Sequence, residues 1–189
     1  MNTNYIIFDL EATCWEGSSK GRLNEIIEIG AVKLDENLNE VDCFQCFVKP
    51  TQNPELSEFC TKLTSITQKD IENAPYFDEA MLQFEDWITK NTDEVKLLSW
   101  GKYDKNQITT EANAKGYNGR ILQLLNNHHS LKHEFAAFRQ IKLCGMSGAL
   151  WMLGIELKGT HHRGIDDAKN IAEIFKAVYP EWKNHISTL

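Results

Sequence analysis

Residues 5–13, with the sequence YIIFDLEAT, predict the first strand of the fold and a pair of acids at its end. Tyr5–Phe8 is an apolar run of β-branched and aromatic residues, which predicts a buried strand. Side chains two residues apart in a strand share a face, so Asp9 and Glu11 project together where this strand ends. Two adjacent carboxylates repel each other unless a cation lies between them, and such hard oxygen ligands suit Mg²⁺ or Mn²⁺. The pair therefore predicts a metal site.

The same D-x-E spacing occurs again at Asp70–Ile71–Glu72. Such pairs arise by chance in a chain with 27 acidic residues. The second copy lies in the polar, turn-rich stretch TQKDIENAP, where two solvated acids need no special explanation. Acids at the end of a buried strand are unusual. We therefore place the metal site at Asp9 and Glu11.

Strands and helices alternate along the rest of the chain. Ile26–Leu34 and Val41–Val48 are apolar runs that complete a three-stranded meander with the first strand. The other predictions are helices at Phe77–Ile88, from about Asp104, at Ser147–Leu153 and at Asp166–Val178, with strands at Val95–Trp100 and near Ser130–Lys132. Pro180 is expected to end the last helix and to leave Glu181–Leu189 as a polar tail.

This order predicts an α/β fold with one mixed β-sheet flanked by helices. The sequence contains no internal repeat, low-complexity tract or Gly/Ser linker. We therefore expect a single domain over residues 1–180, followed by a tail over residues 181–189. The layout is that of ribonuclease-H-like domains, although the order of elements alone fits several folds.

Composition and charge exclude several classes of protein. Of the 189 residues, 42% are hydrophobic and 25% charged, which is typical of a globular protein. The net charge of −7 argues against a broad basic surface that coats nucleic acid, but it allows a local cleft where metal ions offset phosphate charge. The chain has no apolar run of membrane-helix length, no signal-peptide pattern and five irregularly spaced cysteines. We therefore expect a cytoplasmic protein that does not engage a membrane.

A second group of candidate residues lies in the sequence GTHHRGIDDA, at positions 159–168. Two registers place an aspartate five residues after a histidine: His161 with Asp166, and His162 with Asp167. At about 100° per residue, Asp167 lies at the edge of the apolar face of the predicted helix, whereas Asp166 points away from it. We therefore expect Asp167 to reach a site between helix and sheet, and Asp166 to lie in solvent near the helix N-terminus. For a single histidine such as His162, the alternative is a surface or capping residue.

Asp104 is a further candidate, in the sequence SWGKYDK. It follows a predicted strand and a glycine turn, which is where a ligand could enter from the carboxyl end of the strand. Taken alone, it is better explained as a helix N-cap. Together with Asp9, Glu11 and Asp167, it supplies four carboxylates beside one imidazole. Such a set fits phosphoryl chemistry with two metal ions about 4 Å apart and a histidine base, whose ordinary pKa near 6.5 suits neutral pH.

On these segments the sequence resembles the DEDDh 3′→5′ exonucleases. Within them it is most similar to the subfamily of animal histone-mRNA and small-RNA 3′-exonucleases and their bacterial relatives. FDLEATCWEG, SWGKYDKNQ and HHRGIDDAKNIAEIF resemble the three exonuclease motifs, and FCTKLTSITQKDIENAP and SLKHEFA resemble the subfamily. The resemblance extends from Tyr5 to about Val178. It implies that His162 is the general base and that four acids are metal ligands: Asp9, Glu11, Asp104 and Asp167.

The resemblance also implies a function. It predicts hydrolysis of phosphodiester bonds at the 3′ ends of single-stranded nucleic acid, with RNA favoured over DNA and with release of 5′-mononucleotides. The expected cofactor is Mg²⁺ or Mn²⁺, with two ions per active site. His162 and Glu11 would be the catalytic residues. The 3′-terminal nucleotide would contact Glu11, Ala12, Leu63, Thr64, Trp100 and His162, although an apolar core would also accommodate Leu63 and Trp100.

We expect no additional nucleic-acid-binding module before Tyr5, which favours short or single-stranded ends over structured RNA. Two alternatives stay open: a catalytically idle domain that binds nucleic acid or a partner protein, and the proofreading exonuclease of a DNA polymerase. Occupation of all five catalytic positions argues against the first alternative. The subfamily-like segments LTSITQ and HHRGIDDA argue against the second. The sequence does not indicate an oligomeric state.

Overall fold

A five-stranded mixed sheet forms the centre of the fold. The computed structural model describes residues 3–17 and 21–188. The strands, in chain order, are β1 (Thr3–Ala12), β2 (Ile26–Leu34), β3 (Glu40–Phe47), β4 (Glu94–Ser99) and β5 (His129–Ser130). The first three form the expected antiparallel meander, while β4 runs parallel to β1 and β5 parallel to β4. The strand order is β3-β2-β1-β4-β5.

Eight helices lie within the described residues. In chain order they are α1 (Glu58–Thr64), α2 (Gln68–Ile71), α3 (Phe77–Thr89), α4 (Tyr103–Lys115), α5 (Ile121–Leu124), α6 (Leu131–Arg139), α7 (Met146–Leu153) and α8 (Gly164–Ile186). A short 3-10 turn, Leu125–Asn127, follows α5. None of these helices combines the length and the apolar character that crossing a bilayer requires.

The alternation of side chains along β1 divides the hydrophobic core into two layers. Tyr5 and Ile7 pack with residues of α6, α7 and α8 on one face of the sheet. Ile6 and Phe8 pack with residues of α3, α4 and α5 on the other face. Both faces of β2 are covered, and every residue of this strand is buried. The expectation of an α/β fold with a mixed sheet flanked by helices is confirmed.

The predicted end of the last helix is wrong. Pro180 lies inside α8, which continues to Ile186. A proline in a helix interior costs about 3 kcal/mol, but Trp182 in the next turn is fully buried. Its ring packs 5.0 Å from the ring of Phe175, and burial of about 200 Å² of indole surface contributes at least as much as the proline costs. The predicted tail is therefore helical as far as Ile186, while the domain boundary at residue 180 stays a prediction.

Four short helices, α1, α2, α5 and α6, are absent from the predictions above, and in α1 and α2 side-chain caps are a clearer signal than apolar periodicity. In α1, the side chain of Ser57 accepts a hydrogen bond from the N–H of Cys60 at 3.0 Å. In α2, Asp70 Oδ2 accepts from the N–H and the hydroxyl of Thr67, at 2.8 and 2.7 Å. The second D-x-E copy thus belongs to a helix cap, as its polar surroundings suggest.

A buried carboxylate fixes the loop after β3 against the start of β2. Glu25 is fully buried and accepts hydrogen bonds from the N–H groups of Thr51, Gln52 and Asn53 at 2.7, 2.9 and 2.8 Å. It also forms an ion pair with Lys115 at 3.1 Å. Burial by itself raises the pKa of Glu25, but these donors outweigh it and lower the pKa to about 2.

We expect Glu25→Gln to destabilise the protein at pH 7 by an amount on the order of 3 kcal/mol. The folded-state pKa lies below the ordinary value of 4.5. The stabilisation is therefore complete above about pH 4.5 and is lost as the pH falls toward 2. Urea unfolding of wild type and variant at pH 7 and at pH 3.5 measures this. The exposed Glu55→Gln is the matched control, and a wild-type advantage of equal size at both pH values would contradict the prediction.

Trp182 and Trp151 provide a matched test of the C-terminal packing. Trp182→Ala should lower the free energy of unfolding by about 3–5 kcal/mol, because it opens a cavity in the core beneath α8. Trp151 is 82% exposed, and its replacement by alanine should change stability by no more than about 0.5 kcal/mol. Equal effects of the two changes in urea unfolding would show that the end of α8 does not stabilise the domain.

Candidate active site

Asp9 and Glu11 lie near the carboxyl end of β1. They continue the alternation of Tyr5 and Ile7, so they face the side of the sheet that α8 covers. The pairing of β1 with β2 places Asp9 opposite Gly30, and Glu11 opposite another acid of β2. Glu11 is only 8% exposed. A group that acts with these two carboxylates must therefore come from α8 or from the loop before it.

Two glycines allow α8 to approach the sheet beside Asp9. A Cβ atom at Gly30 would lie 2.1 Å from the backbone carbonyl carbon of Gly164. A Cβ atom at Gly164 would lie 3.1 Å from the backbone oxygen of Asp9. The first turn of α8 therefore rests directly on the backbone of the sheet. Any side chain at position 30 would displace this turn, and Asp167 with it.

Glu28 anchors the same turn of α8 electrostatically. It is fully buried and accepts hydrogen bonds from the N–H of Gly164 at 3.0 Å and from Arg163 Nε at 3.1 Å. Gln45 donates to its other oxygen at 2.7 Å. A negative charge at this position also favours the helix N-terminus. Sequence reasoning missed Glu28, because an acid inside a buried strand carries no local signal of its partner.

The predicted carboxylates converge at this place. One ligand atom from each of Asp9, Glu11 and Asp167 lies within 4.8 Å of the others. Asp104 lies beside them, and its Oδ1 accepts a hydrogen bond from the N–H of Leu10 at 3.2 Å. Three of the four predicted acids thus form a tight cluster, and the fourth is adjacent to it.

Burial raises the pKa values of Asp9, Glu11 and Asp104, and repulsion from neighbouring acids adds to this for Asp9 and Glu11. Burial, followed by the charges of Asp104 and Glu11, raises the pKa of Asp9 well above its ordinary value. Burial, followed by the charge of Asp167, raises the pKa of Glu11 to about 8. Burial raises the pKa of Asp104 to about 6, although hydrogen bonds, including one from Ser99, lower it.

These carboxylates have no lysine or arginine partner among the described residues. In the described part of the chain, no lysine or arginine forms an ion pair with Asp9, Glu11, Asp104 or Asp167. A divalent cation would supply the missing charge and stabilise the ionised forms. The donor set is all oxygen, which is the preference of Mg²⁺ and Mn²⁺. The residues present therefore fit a divalent metal site.

His162 lies immediately before α8 with a left-handed backbone, at φ 64°. Its N–H donates to Asp167 Oδ2 at 3.1 Å. Burial and the neighbouring His161 lower the pKa of His162, although Asp167 raises it. The imidazole is therefore neutral at physiological pH and able to accept a proton.

His161 is also part of the site, which sequence reasoning missed. Its Nδ1 lies 3.0 Å from Asp167 Oδ2, and its ring stacks on that of His162 with 4.0 Å between the centroids. The register that the helix geometry rejected, His161 with Asp166, is not formed, and His161 contacts Asp167 instead. The predicted register was chosen from the geometry of the helix, which does not indicate where the side chain of His161, in the turn before α8, would lie.

The structure settles two alternatives for the aspartates. Helix α4 begins at Tyr103 with Lys102 as its N-cap, so the N-cap interpretation of Asp104 is wrong. Asp166 lies in the first turn of α8 as expected, but it is not free in solvent, because its Oδ2 accepts a hydrogen bond from the N–H of Thr160 at 2.8 Å.

An open cavity of about 450 Å³ lies over the carboxylates. Of the residues predicted to contact a 3′-terminal nucleotide, five line it: Glu11, Ala12, Leu63, Trp100 and His162. The sixth, Thr64, is not brought to the cavity. It is fully buried, and its hydroxyl donates to the backbone oxygen of Cys60 at 2.9 Å. Thr64 therefore serves the end of α1 rather than the cavity wall.

Tyr103, Met146 and Lys132 also line the cavity and were not predicted to do so. Lys132 is the sole lysine or arginine among the described lining residues. Lys132 lies two residues after the end of β5, which runs parallel to β4. The argument that placed Asp104 at the carboxyl end of a strand would have placed Lys132 as well.

Comparison with known proteins assigns the family. The Exonuclease (RNase_T) family model matches residues 6–175, and the chain belongs to this family. Human ERI1 exoribonuclease 2 is 33% identical over 187 residues, which cover 88% of this chain and 27% of that protein. Human 3′-5′ exoribonuclease 1 is 34% identical over 177 residues, which cover 89% of this chain and 50% of that protein. The chain thus spans half or less of the length of these two relatives.

A solved structure confirms the expected fold. The nuclease domain of 3′hExo, described as a DEDDh family member and bound to rAMP, superposes with a TM-score of 0.86 at 29% sequence identity. The match covers 94% of this chain and 92% of that domain. The expected resemblance to DEDDh exonucleases with a ribonuclease-H-like fold is confirmed.

We expect Mg²⁺ or Mn²⁺ to stabilise the folded protein, because a cation relieves the repulsion among the buried acids. At a concentration about 100 times the dissociation constant, the gain is about 2.7 kcal/mol, or about 5–10 °C in the thermal midpoint. Asp9→Asn and Asp167→Asn should remove most of this shift, and the exposed Asp86→Asn should retain it. Calorimetric melting with and without metal measures the shift, and a shift unaffected by Asp9→Asn would place the cation elsewhere.

Proposed function

We propose that this chain is a metal-dependent exonuclease that removes 5′-mononucleotides from the 3′ ends of single-stranded nucleic acid, with RNA favoured over DNA. The observation that carries the proposal is the convergence of Asp9, Glu11 and Asp167 within 4.8 Å of one another. Asp104 and His162 line the same cavity. A cluster of acids that has no lysine or arginine partner among the described residues, beside a neutral imidazole, suits hydrolysis of a phosphodiester.

Asp9, Glu11, Asp104 and Asp167 would hold Mg²⁺ or Mn²⁺, and we propose two ions per site. Such ions supply Lewis-acid chemistry that neutralises charge on the phosphoryl oxygens during hydrolysis. The fit rests on the all-oxygen donor set and on the raised pKa values of Asp9, Glu11 and Asp104. Glu11, near the carboxyl end of β1, is proposed to be catalytic as well as a ligand.

His162 would act as the general base. Its lowered pKa keeps the imidazole neutral, so that it can take a proton from the attacking water. The oxygen of that water forms a new bond to phosphorus, and the bond from phosphorus to the 3′-oxygen of the preceding nucleotide breaks. The products are a 5′-mononucleotide and a chain with a new 3′-hydroxyl. The leaving 3′-oxygen takes up a proton from solvent to become that hydroxyl, and His162 releases the proton of the attacking water to solvent.

The cavity would bind the terminal nucleotide. Its volume of about 450 Å³ is in the range of small-molecule sites. We propose that Ala12, Leu63 and Trp100 form the apolar wall, with Glu11 and His162 at the reacting phosphate. Lys132, which also lines the cavity, offers a positive charge to a phosphate group. Thr64 is not part of this proposal.

The preference for RNA is supported by the names of the relatives. Two of them are named exoribonucleases, and the superposed nuclease domain is bound to rAMP. We carry this substrate class to the present chain as part of the proposal. A cytoplasmic location also stays a prediction, in keeping with the free cysteines among the described residues.

The decisive test is a degradation assay on 5′-labelled single-stranded RNA, single-stranded DNA and a duplex with a 3′ overhang, in Mg²⁺ or Mn²⁺. We expect stepwise shortening from the 3′ end, fastest on RNA. Asp9→Ala should abolish activity, and His162→Ala should lower the rate at least about 10²-fold with Mn²⁺ affinity retained in calorimetry.

The exposed substitutions Asp86→Asn and Glu55→Gln are controls that should leave the rate unchanged. The absence of shortening of every substrate by the wild-type protein would refute the proposed function. A fully active Asp9→Ala variant would refute the site assignment while leaving the activity itself intact.

A further inference from the structure

The segment between α7 and α8 carries both histidines, and it contains no helix or strand. Its position therefore depends on individual side-chain contacts. Two residues in the first two turns of α8, Asp166 and Asn170, make the contacts with residues 158–160. Neither was predicted to be part of the site, and neither lines the cavity over the carboxylates.

Asn170 fixes the backbone at Lys158. It is 2% exposed, and its Oδ1 accepts a hydrogen bond from the N–H of Lys158 at 3.0 Å. Its Nδ2 donates to the backbone oxygen of Lys158 at 2.8 Å and to that of Asp166 at 2.9 Å. One amide thus satisfies both backbone groups of Lys158, as a neighbouring strand would, and ties them to the helix.

Asp166 fixes the backbone two residues later. Its Oδ2 accepts from the N–H of Thr160 at 2.8 Å. Gly159 lies between the two anchored positions with φ +74°, and a Cβ atom there would be 2.4 Å from the carboxyl carbon of Asp166. The turn is packed so closely on this carboxylate that only glycine fits. We call the contacts of Asp166 and Asn170 with residues 158–160 the loop clamp.

The loop clamp ends immediately before His161 and His162. A left-handed backbone such as that of His162 costs a non-glycine residue about 1–2 kcal/mol, and it persists only where the surroundings impose it. The N–H of Arg163 donates to the backbone oxygen of Thr160 at 3.2 Å, which closes the turn over the two histidines. The strained residue is therefore held between the loop clamp on one side and the anchored first turn of α8 on the other.

We propose that Asp166 and Asn170 are positioning residues that place the His162 imidazole over the carboxylate cluster by holding residues 158–160 against α8. This inference rests on the proposed function, in which His162 is the base. The two residues act through His162 rather than directly, because neither lines the cavity over the carboxylates. Their loss should misplace the base while leaving the metal ligands intact.

Four variants separate this role from general stability. Asp166→Ala and Asn170→Ala remove the loop clamp. Asp166→Asn keeps an acceptor oxygen for the N–H of Thr160 and should behave as wild type. Lys169→Ala alters an exposed residue between the two and is the control. Hydrogen exchange at the amides of Lys158 and Thr160 should accelerate in the two clamp-deleting variants and in neither of the others.

The kinetic readout is specific to a misplaced base. Asp166→Ala and Asn170→Ala should lower kcat by about 10- to 100-fold, with KM changed less than about twofold and Mn²⁺ affinity in calorimetry unchanged. In a His162→Ala background, measured by single turnover, neither substitution should lower the rate further, because the group that it positions is already absent.

Each measurement can overturn the inference. Unchanged exchange at Lys158 and Thr160 in both alanine variants would show that the loop clamp does not hold the turn. An equal loss of rate with and without the His162 side chain would show that Asp166 and Asn170 do not act through it. A wild-type protein without nuclease activity would instead refute the proposed function, and the exchange experiment would still decide whether the loop clamp exists.

Discussion

The contact between the first turn of α8 and the backbone of β2 is the constraint on which the rest of the site depends. Gly30 and Gly164 remove the side chains that would keep helix and sheet apart. Glu28 then holds the helix there through the N–H of Gly164 and the side chain of Arg163. Because Asp167 is less than one turn further along α8, the same contact brings its carboxylate to Asp9. Packing at two glycines thus sets the distances among acids that repel one another.

The carboxylates of the site repel one another, so contacts elsewhere in the fold must supply compensating stability. Desolvation and mutual repulsion raise the pKa values of Asp9 and Glu11, so in the absence of a cation these two acids lower the free energy of unfolding. The two hydrophobic layers on either side of the sheet offset this cost. Glu25 shows the opposite case, since backbone donors and Lys115 surround its carboxylate and hold its pKa low. Whether an acidic side chain serves the site or stabilises the fold therefore depends on the hydrogen-bond donors around it.

The parts of the structure that could be predicted are those with a repeating or local signal. The strands β1 and β2 follow from apolar runs, and the choice of Asp167 over Asp166 follows from the angular spacing of a helix. The continuation of α8 beyond Pro180 could not be predicted, because the packing of Trp182 against distant rings overrides the local effect of proline. The roles of His161 and Thr64 depend on the backbone φ angle at His162 and on hydrogen bonds within α1, which have no sequence pattern.

The contacts that assemble the site join parts of the chain that are far apart in sequence. The bond between Leu10 and Asp104 spans 94 residues, and that between Glu28 and Gly164 spans 136. Such long-range contacts close large loops, so we expect folding to be slow compared with a helical bundle of similar size. During synthesis, moreover, the ligand set is incomplete until α8 has left the ribosome. Cation binding to these acids would therefore report on completion of the whole fold rather than on any of its parts.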